Sequence, residues 1–286
     1  MTSSKFQILV PTDFSEQSVA AFYQSCRIAQ LYDAEITLLH VVEDENSSRQ
    51  LFEVSSQEAL LQKIDDKLKQ FVQAELGISK KIVYCRIEIG NVADQIIKAQ
   101  KLHNTNMIVM GFNEIKSNQN KHIGSNAMEV IKQAPCQVVT VKNKINSGDF
   151  KSIILPIDLS KAFNQKVIKA IELAKSWKGA IVNLISVLPQ CDELRVNAAT
   201  HQLAGIVREI ELNNIVCNAE IIRIIKGHEN MSDIVADYAH RIKSEMVMII
   251  TRHETGRANR IGASAQSIMN NIEIPMFSIV PLINSN

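Results

Sequence analysis

The sequence predicts an α/β chain built from two tandem, doubly wound, five-stranded parallel-sheet domains. Three observations carry that expectation. Short apolar runs alternate with longer amphipathic stretches, the pattern of strands joined by helical crossovers. The landmarks of the first half return in order in the second. The length, 286 residues, is about twice a domain of roughly 140 residues.

The first strand is Phe6-Gln-Ile-Leu-Val10, apolar as a strand buried on both faces must be. It runs into Pro11-Thr-Asp-Phe-Ser15, where Ser15 can N-cap a helix and Glu16 puts a carboxylate in the first turn. That helix reaches about Tyr32, with Val19, Phe22, Cys26 and Ala29 recurring at helical spacing. Residues 34–42 read as the second strand and residues 44–56 as a polar loop. A long helix follows, with Leu60, Leu61, Ile64, Leu68, Phe71, Val72 and Leu76 on one side and Gly77 as its stop. Its charged stretch from Lys63 to Lys69 reads as a solvated face with helical ion pairs.

Residues 81–89 form the third strand, closed by Gly90, and Asn91 caps a helix carrying Val92, Ile96, Ile97 and Ala99. Residues 106–111 are the fourth strand, a polar loop runs from Ile115 to Ile123, Gly124 opens the last helix, and residues 136–141 are the fifth strand. Right-handed crossovers between such elements give a Rossmann-like sheet of strand order 3-2-1-4-5.

Residues 143–150 are polar with Ser-Gly at their centre and read as a linker, leaving domains at 1–143 and 151–286. A shift of 145 positions relates Pro11 to Pro156, Asp13 to Asp158 and Ser15 to Ser160. Leu38-Leu-His-Val41 is matched by Leu184-Ile-Ser-Val187, and Gly90 by Gly227. Met107-Ile-Val-Met-Gly111 is matched by Val247-Met-Ile-Ile-Thr251, Gly124 by Gly262, and residues 138–141 by residues 277–280. The chain is a duplication.

With 31 basic and 30 acidic residues, the chain has no electrostatic footprint for nucleic acid or an anionic membrane. No apolar run nears the roughly 20 residues of a membrane span, and the first residues carry no export signal. A cytoplasmic location is expected. The five cysteines lie far apart without metal-ligand spacing, so reduced thiols are expected, with Cys85 and Cys136 packed in strands. His40 reads as a packed or hydrogen-bonded histidine rather than a catalyst, and the methionines near 107 and 246 as strand core.

In an open parallel sheet, ligands bind beyond the carboxyl ends of the strands where the winding reverses. That places Asp13 and Gly111 across one crevice, with the free amides at the start of the Gly124 helix aimed into it, a setting that suits a phosphate. The residues Ile8-Leu-Val-Pro-Thr-Asp-Phe-Ser15, Leu38-Leu-His-Val41, Gly111 and Gly124-Ser125 resemble the universal stress protein family, twice over nearly the whole chain. The family's ATP-binding pattern is Gly-x-x-Gly, nine residues, then Gly-Ser or Gly-Thr. Here Gly111 is followed by Glu114 at the second glycine, and the interval to Gly124-Ser125 is kept.

The resemblance implies that Pro11, Thr12 and Asp13 sit against a nucleoside and Val41 offers backbone to adenine. It implies that Met110 and Gly111 line the ribose and phosphate side, and that Gly124, Ser125 and Asn126 face the phosphates. The ligand would be ATP, ADP or AMP, with Mg. Glu114 brings a side chain where that pattern brings bare backbone, and Lys116, Lys121 and His122 on the same loop could offset its charge. The second copy departs further, with Thr251, Glu254 and Gly262-Ala263 in the corresponding places and a shorter interval, and is expected to hold no ATP.

Three functions follow. The first is a nucleotide-binding stress-response protein that acts on partners and is not an enzyme, at most a slow ATPase. The second is a nucleotide-independent interaction module working through the fifth-strand edges at 137–141 and 276–280, which could join the repeats into an internal pseudo-dimer or two chains into a homodimer. The third, an adenylating ligase or electron-transfer flavoprotein, needs a Ser-Gly-Gly-x-Asp-Ser loop after the first strand, or a second-domain flavin site, and the first strand instead ends in Pro11-Thr-Asp-Phe-Ser15.

Overall fold

A computed structural model describes residues 5–74, 83–112, 114–117, 120–142, 150–159, 163–188, 192–224, 230–251 and 261–279, with backbone alone for 114–117 and 120–123. The chain divides into two compact units, Met1–Ile115 with Ile123–Ile145, and Lys116–His122 with Asn146–Asn286.

In the first unit, β1 (Gln7–Pro11), β2 (Glu35–Val42), β3 (Val83–Ile89), β4 (Met107–Gly111) and a last strand, Gln137–Val141, pair in parallel. Their order is the expected 3-2-1-4-5. Strands β1 and β4 are almost wholly buried, with Ile8, Leu9, Val10, Met107, Ile108 and Val109 at 0–1% exposure. Helices α1 (Glu16–Tyr32) and α3 (Gln57–Ala74) pack together through Phe22 and Phe71, whose ring centroids are 5.0 Å apart. Helix α4 (Val92–Leu102) packs on β1 and β2, and on α5 (Ser125–Gln133). The N-caps act as the sequence requires: Ser15 accepts from the Ser18 amide and Asn91 from the Asp94 amide.

Two segments differ from expectation. Residues 44–56 contain a helix, α2 (Glu45–Leu51), started by Asp44, whose carboxylate accepts from the Asn46 amide. It buries none of its residues, so it carries no hydrophobic period to read. The stretch expected as a polar loop from Ile115 to Ile123 holds β5 (Glu114–Ser117) and β6 (Asn120–Ile123), a two-stranded sheet of its own. The last strand of the unit is therefore β7 (Gln137–Val141).

The second unit repeats the plan. Strands β8 (Ser152–Pro156), β9 (Ile181–Leu188), β10 (Cys217–Arg223), β11 (Met246–Ile250) and β12 (Met276–Ile279) are parallel in the equivalent order. Helices α6 (Asn164–Ser176), α7 (Glu193–Glu211), α8 (Met231–Arg241) and α9 (Ala263–Asn271) complete it. Phe150, placed in the linker by composition, is 1% exposed and stacks on Trp177 at 4.4 Å, so it is core of this unit. Residues 143–149, Leu76, Gly77, Cys191, Gly227, Glu254 and Val280 lie outside the described residues.

The register corrects one sequence match. Ile8 pairs with Met107, and Ile153, its repeat counterpart, pairs with Met246. The counterpart of Gly111 is therefore Ile250, one residue before Thr251. Every residue of β11 is apolar, so a slip of one position leaves its pattern unchanged, and only strand pairing fixes it.

Candidate functional site

The crevice of the first unit is built on the carboxyl ends of β1, β2 and β4. The β1–β2 ladder closes with the Thr12 amide donating to the Leu39 carbonyl at 2.8 Å. One step further, the Thr12 carbonyl would accept from the amide of Val41. No such bond is formed, and His40 Nδ1 instead lies 2.8 Å from that carbonyl oxygen. A carbonyl can only accept, so Nδ1 carries the proton and donates. Bonding direction alternates along a strand in a parallel sheet, and the Val42 carbonyl already accepts from Gly90 on the β3 side. The N–H and C=O of Val41 thus point past the end of β1, with no backbone partner among the described residues.

The Pro11–Ser15 turn is tied to itself. The Thr12 hydroxyl shares a hydrogen with Ser18 Oγ at 3.0 Å and accepts from the Phe14 amide at 3.1 Å. Asp13 Oδ1 accepts from both the amide and the hydroxyl of Ser15. The residue is exposed. Burial acts to raise the Asp13 carboxyl pKa, but the Ser15 and Ser18 hydrogen bonds outweigh it and hold the group below its ordinary value. Asp13 is ionised at neutral pH. The helix cap itself is Ser15, so Asp13 is spared that duty.

Phe14 has φ 63°, in the left-handed region that a bulky residue rarely adopts. Its ring lies 4.9 Å from the His40 ring and 6.3 Å from Phe71, with the Lys67 ammonium 4.1 Å from its centroid. Lys67 also stands 5.4 Å from the Phe52 ring, while Lys63 donates to the Phe52 carbonyl at 2.7 Å. Helix α3 keeps the expected Asp65–Lys69 ion pair. Its Lys63 and Lys67, however, hold the β2–α3 connection and the site turn rather than only facing solvent. Burial lowers the His40 pKa and Lys67 adds to that, against the Thr12 bond and the Asp13 charge, so His40 is neutral.

Gly111 ends β4 where α1 crosses it. A Cβ there would lie 2.3 Å from the carbonyl carbon and 2.4 Å from the carbonyl oxygen of Gln17, and 2.5 Å from the Ser18 nitrogen. Its glycine is required by helix packing, whatever ligand is present. Met110, beside it, is 5% exposed. Gly124 is the N-cap of α5, with φ −54° and ψ 144°, and no side chain caps the helix. Ser125 and Asn126 are exposed in the first turn, so the first amides of α5 are open and carry the positive end of the helix dipole. The side chains of Glu114, Lys116, Lys121 and His122 lie outside the described residues.

The structure thus gathers Pro11, Thr12 and Asp13 on the turn between β1 and α1, Val41 on β2 beside it, and Gly111 against α1. His40 and Phe14 were not singled out for the site by sequence. The signal for His40 was a polar residue at the carboxyl end of an otherwise apolar strand.

The second unit lacks the same parts. Ser186 stands at the position of His40, 1% exposed and with its hydroxyl unpartnered among the described residues. Ile250 replaces Gly111, and α6 starts at Asn164, three residues later than the counterpart of Glu16. Gly262 still N-caps α9 without a side-chain cap.

The thiols have no role here: burial pushes Cys26, Cys136 and Cys217 up to about 12. Among the described residues no group of three His, Cys, Asp or Glu could hold a metal ion, and no helix is long and apolar enough to cross a membrane.

Comparison with known proteins agrees with this architecture. Residues 6–142 match the model of the universal stress protein family. A universal stress protein of Staphylococcus aureus (strain USA300) is 23% identical over 159 residues, 54% of this chain and 95% of that protein. The crystal structure of a universal stress protein from Archaeoglobus fulgidus DSM 4304 superposes with TM-score 0.69 at 16% identity, covering 96% of each chain. One from Pseudomonas aeruginosa UCBPP-PA14 gives 0.67 at 15% identity, over 97% of this chain and 94% of its own. The bacterial relative of single-domain length matches about half the chain, while the two structures match its full α/β fold.

Proposed function

Because this chain belongs to the universal stress protein family, as a stress-response protein with two tandem domains, we propose that its first unit binds an adenine nucleotide and acts on partners by that binding rather than by catalysis. The observation that carries this reading is the open backbone of Val41, left free when His40 takes the Thr12 carbonyl. Adenine presents a donor, its amino group, next to an acceptor ring nitrogen. One residue offering C=O and N–H on the same side is complementary to that edge. The exposed, ionised Asp13 carboxylate is an acceptor suited to a ribose hydroxyl, and the uncapped start of α5 suits phosphate oxygens. Magnesium would enter with the phosphates. Pro11, Thr12, Met110 and Gly111 shape the walls, and Gly124, Ser125 and Asn126 face the anion.

The test is calorimetric titration of ATP and of AMP into the intact protein with magnesium, repeated on Gly124→Asp. Saturable binding near one site per chain, lost in the variant, is expected. No heat with either nucleotide would sink the reading.

A second reading, a nucleotide-independent interaction module, is favoured by the packing at Gly111. That glycine is fully accounted for by the α1 backbone and needs no phosphate to explain it. On this reading no adenine nucleotide raises the melting temperature, and the chain works through the edges of β7 and β12.

A further inference from the structure

A second opening lies at the other end of the first unit's sheet, away from the crevice. It is a groove of about 580 Å³ at the amino ends of β1, β2 and β3, lined among others by Gln7, Thr37, Tyr84, Arg86, His103 and Asn104. That volume falls in the usual range for small-molecule sites, roughly 300–1,000 Å³. The strand register puts Thr37 beside Tyr84 and Leu39 beside Arg86, so these side chains share one face of the sheet. His103 and Asn104 reach the groove from the turn after α4, where His103 is the C-cap.

The repeat supplies an internal comparison. By strand pairing, Gln7, Thr37, Tyr84 and Arg86 correspond to Ser152, Asn183, Asn218 and Glu220. There the chain's own polar groups bond to one another. Asn218 Nδ2 donates to Asn183 Oδ1 at 3.0 Å, and Asn183 Nδ2 donates to Ser152 Oγ at 3.0 Å. Glu220 is ion-paired to Arg241 of α8 at 2.7 Å.

In the first unit each of those ties is absent. Gln7 turns to Glu35 at 3.0 Å, and Lys5 joins the same carboxylate at 3.4 Å, so the groove's acid is already taken. Arg86 has no acidic partner among the described residues, and the counterpart of Arg241 is Leu102, 68% exposed. Tyr84 is 48% exposed beside the opening. One repeat carries a hydrogen-bonded ladder at this position. The other carries a guanidinium without an acidic partner among the described residues, two residues from a half-exposed tyrosine.

We propose that this groove is a second ligand site, taking a small organic anion with a planar ring. Arg86 meets the anionic group, which its forked donors fit better than a point charge would. The Tyr84 ring packs on the ligand's ring. His103 and Asn104 close the far side. The site is independent of the nucleotide crevice and stands or falls without it.

The probe is phenyl phosphate, titrated into the intact, isotope-labelled protein with amide shifts as readout, beside cyclohexyl phosphate and inorganic phosphate. The expected result is a saturable shift of the Tyr84, Arg86 and Asn104 amides. Phenyl phosphate should bind at least tenfold tighter than the other two, and Arg86→Glu should weaken it at least tenfold. Glutamate is tolerated at the corresponding position of β10, so this variant is expected to fold. Tyr84→Leu should erase the preference for phenyl over cyclohexyl. Several results would overturn the proposal. They are shifts that do not saturate, shifts confined to Gly111 and Ser125, affinity unchanged in Arg86→Glu, or equal binding of the three phosphates.

Discussion

His40 Nδ1 donates to the carbonyl oxygen of Thr12 at 2.8 Å, and that single bond ends the β1–β2 ladder one residue short of Val41. A side chain has taken a place that backbone would otherwise fill. Val41 is left with a backbone donor and acceptor that have no backbone partner among the described residues.

The first prediction concerns that ladder. In His40→Leu the Thr12 carbonyl becomes available to the Val41 amide, and strand pairing extends by one step. Hydrogen exchange at the Val41 amide should therefore slow in the variant relative to the parent protein. Unchanged exchange would mean that something other than His40 keeps this pair apart.

The second follows from the ionisation of His40. Burial and the Lys67 ammonium lower its pKa, while the Thr12 bond and the Asp13 carboxylate oppose them without reversing the shift from 6.5. A base whose folded pKa is depressed binds its proton more readily in the unfolded chain. Its contribution to stability is present above about pH 6.5 and is lost as pH falls through its folded-state value. Denaturation midpoints should fall between pH 7.5 and pH 5 in the parent protein, and fall less in His40→Gln.

Asp13 gives the complementary case at lower pH. Its carboxyl is held below 3.8 by hydrogen bonds from Ser15 and Ser18 that overcome the effect of burial. Stability from the carboxylate is present above that unfolded value and lost as pH falls through the folded one. The parent protein should exceed Asp13→Asn in stability at pH 7, and the gap should close on acidification below about pH 4. A gap that persists at pH 2.5 would rule out the carboxylate charge as its source.

Two glycine substitutions should act in opposite directions. Gly111→Ala forces a methyl into the backbone of Gln17 and Ser18, and overpacking of this kind costs about 1–3 kcal/mol. Gly205 lies in α7 with nothing within 4 Å of where its Cβ would be. Gly205→Ala should stabilise the protein by about 1 kcal/mol, since glycine is a poor helix residue. Chemical denaturation of both variants measures the signs directly.

Much of this molecule is determined by its sequence alone. The duplication, the alternation of strand and helix, the 3-2-1-4-5 order, and the caps at Ser15 and Asn91 all rest on short-range chemistry or hydrophobic period, which a chain displays locally. The turn at Pro11–Ser15 and the Gly124 helix start were legible as candidate site elements because strand ends and helix starts have marked residues, while Val41 followed only from the family resemblance. Tertiary structure alone decided the rest. Helix α2 has no buried side and so no period, and the strands β5 and β6 lie in a stretch that looks like a polar loop. The five apolar residues of β11 look the same when slipped by one, so only pairing with β8 sets Ile250 against Gly111. The cause of Gly111 is the α1 backbone, the role of His40 is the Thr12 carbonyl, and the groove beside Tyr84 is lined by an Arg86 with no acidic partner among the described residues. Each of these is a relation between residues far apart in sequence, and folding is what brings them together.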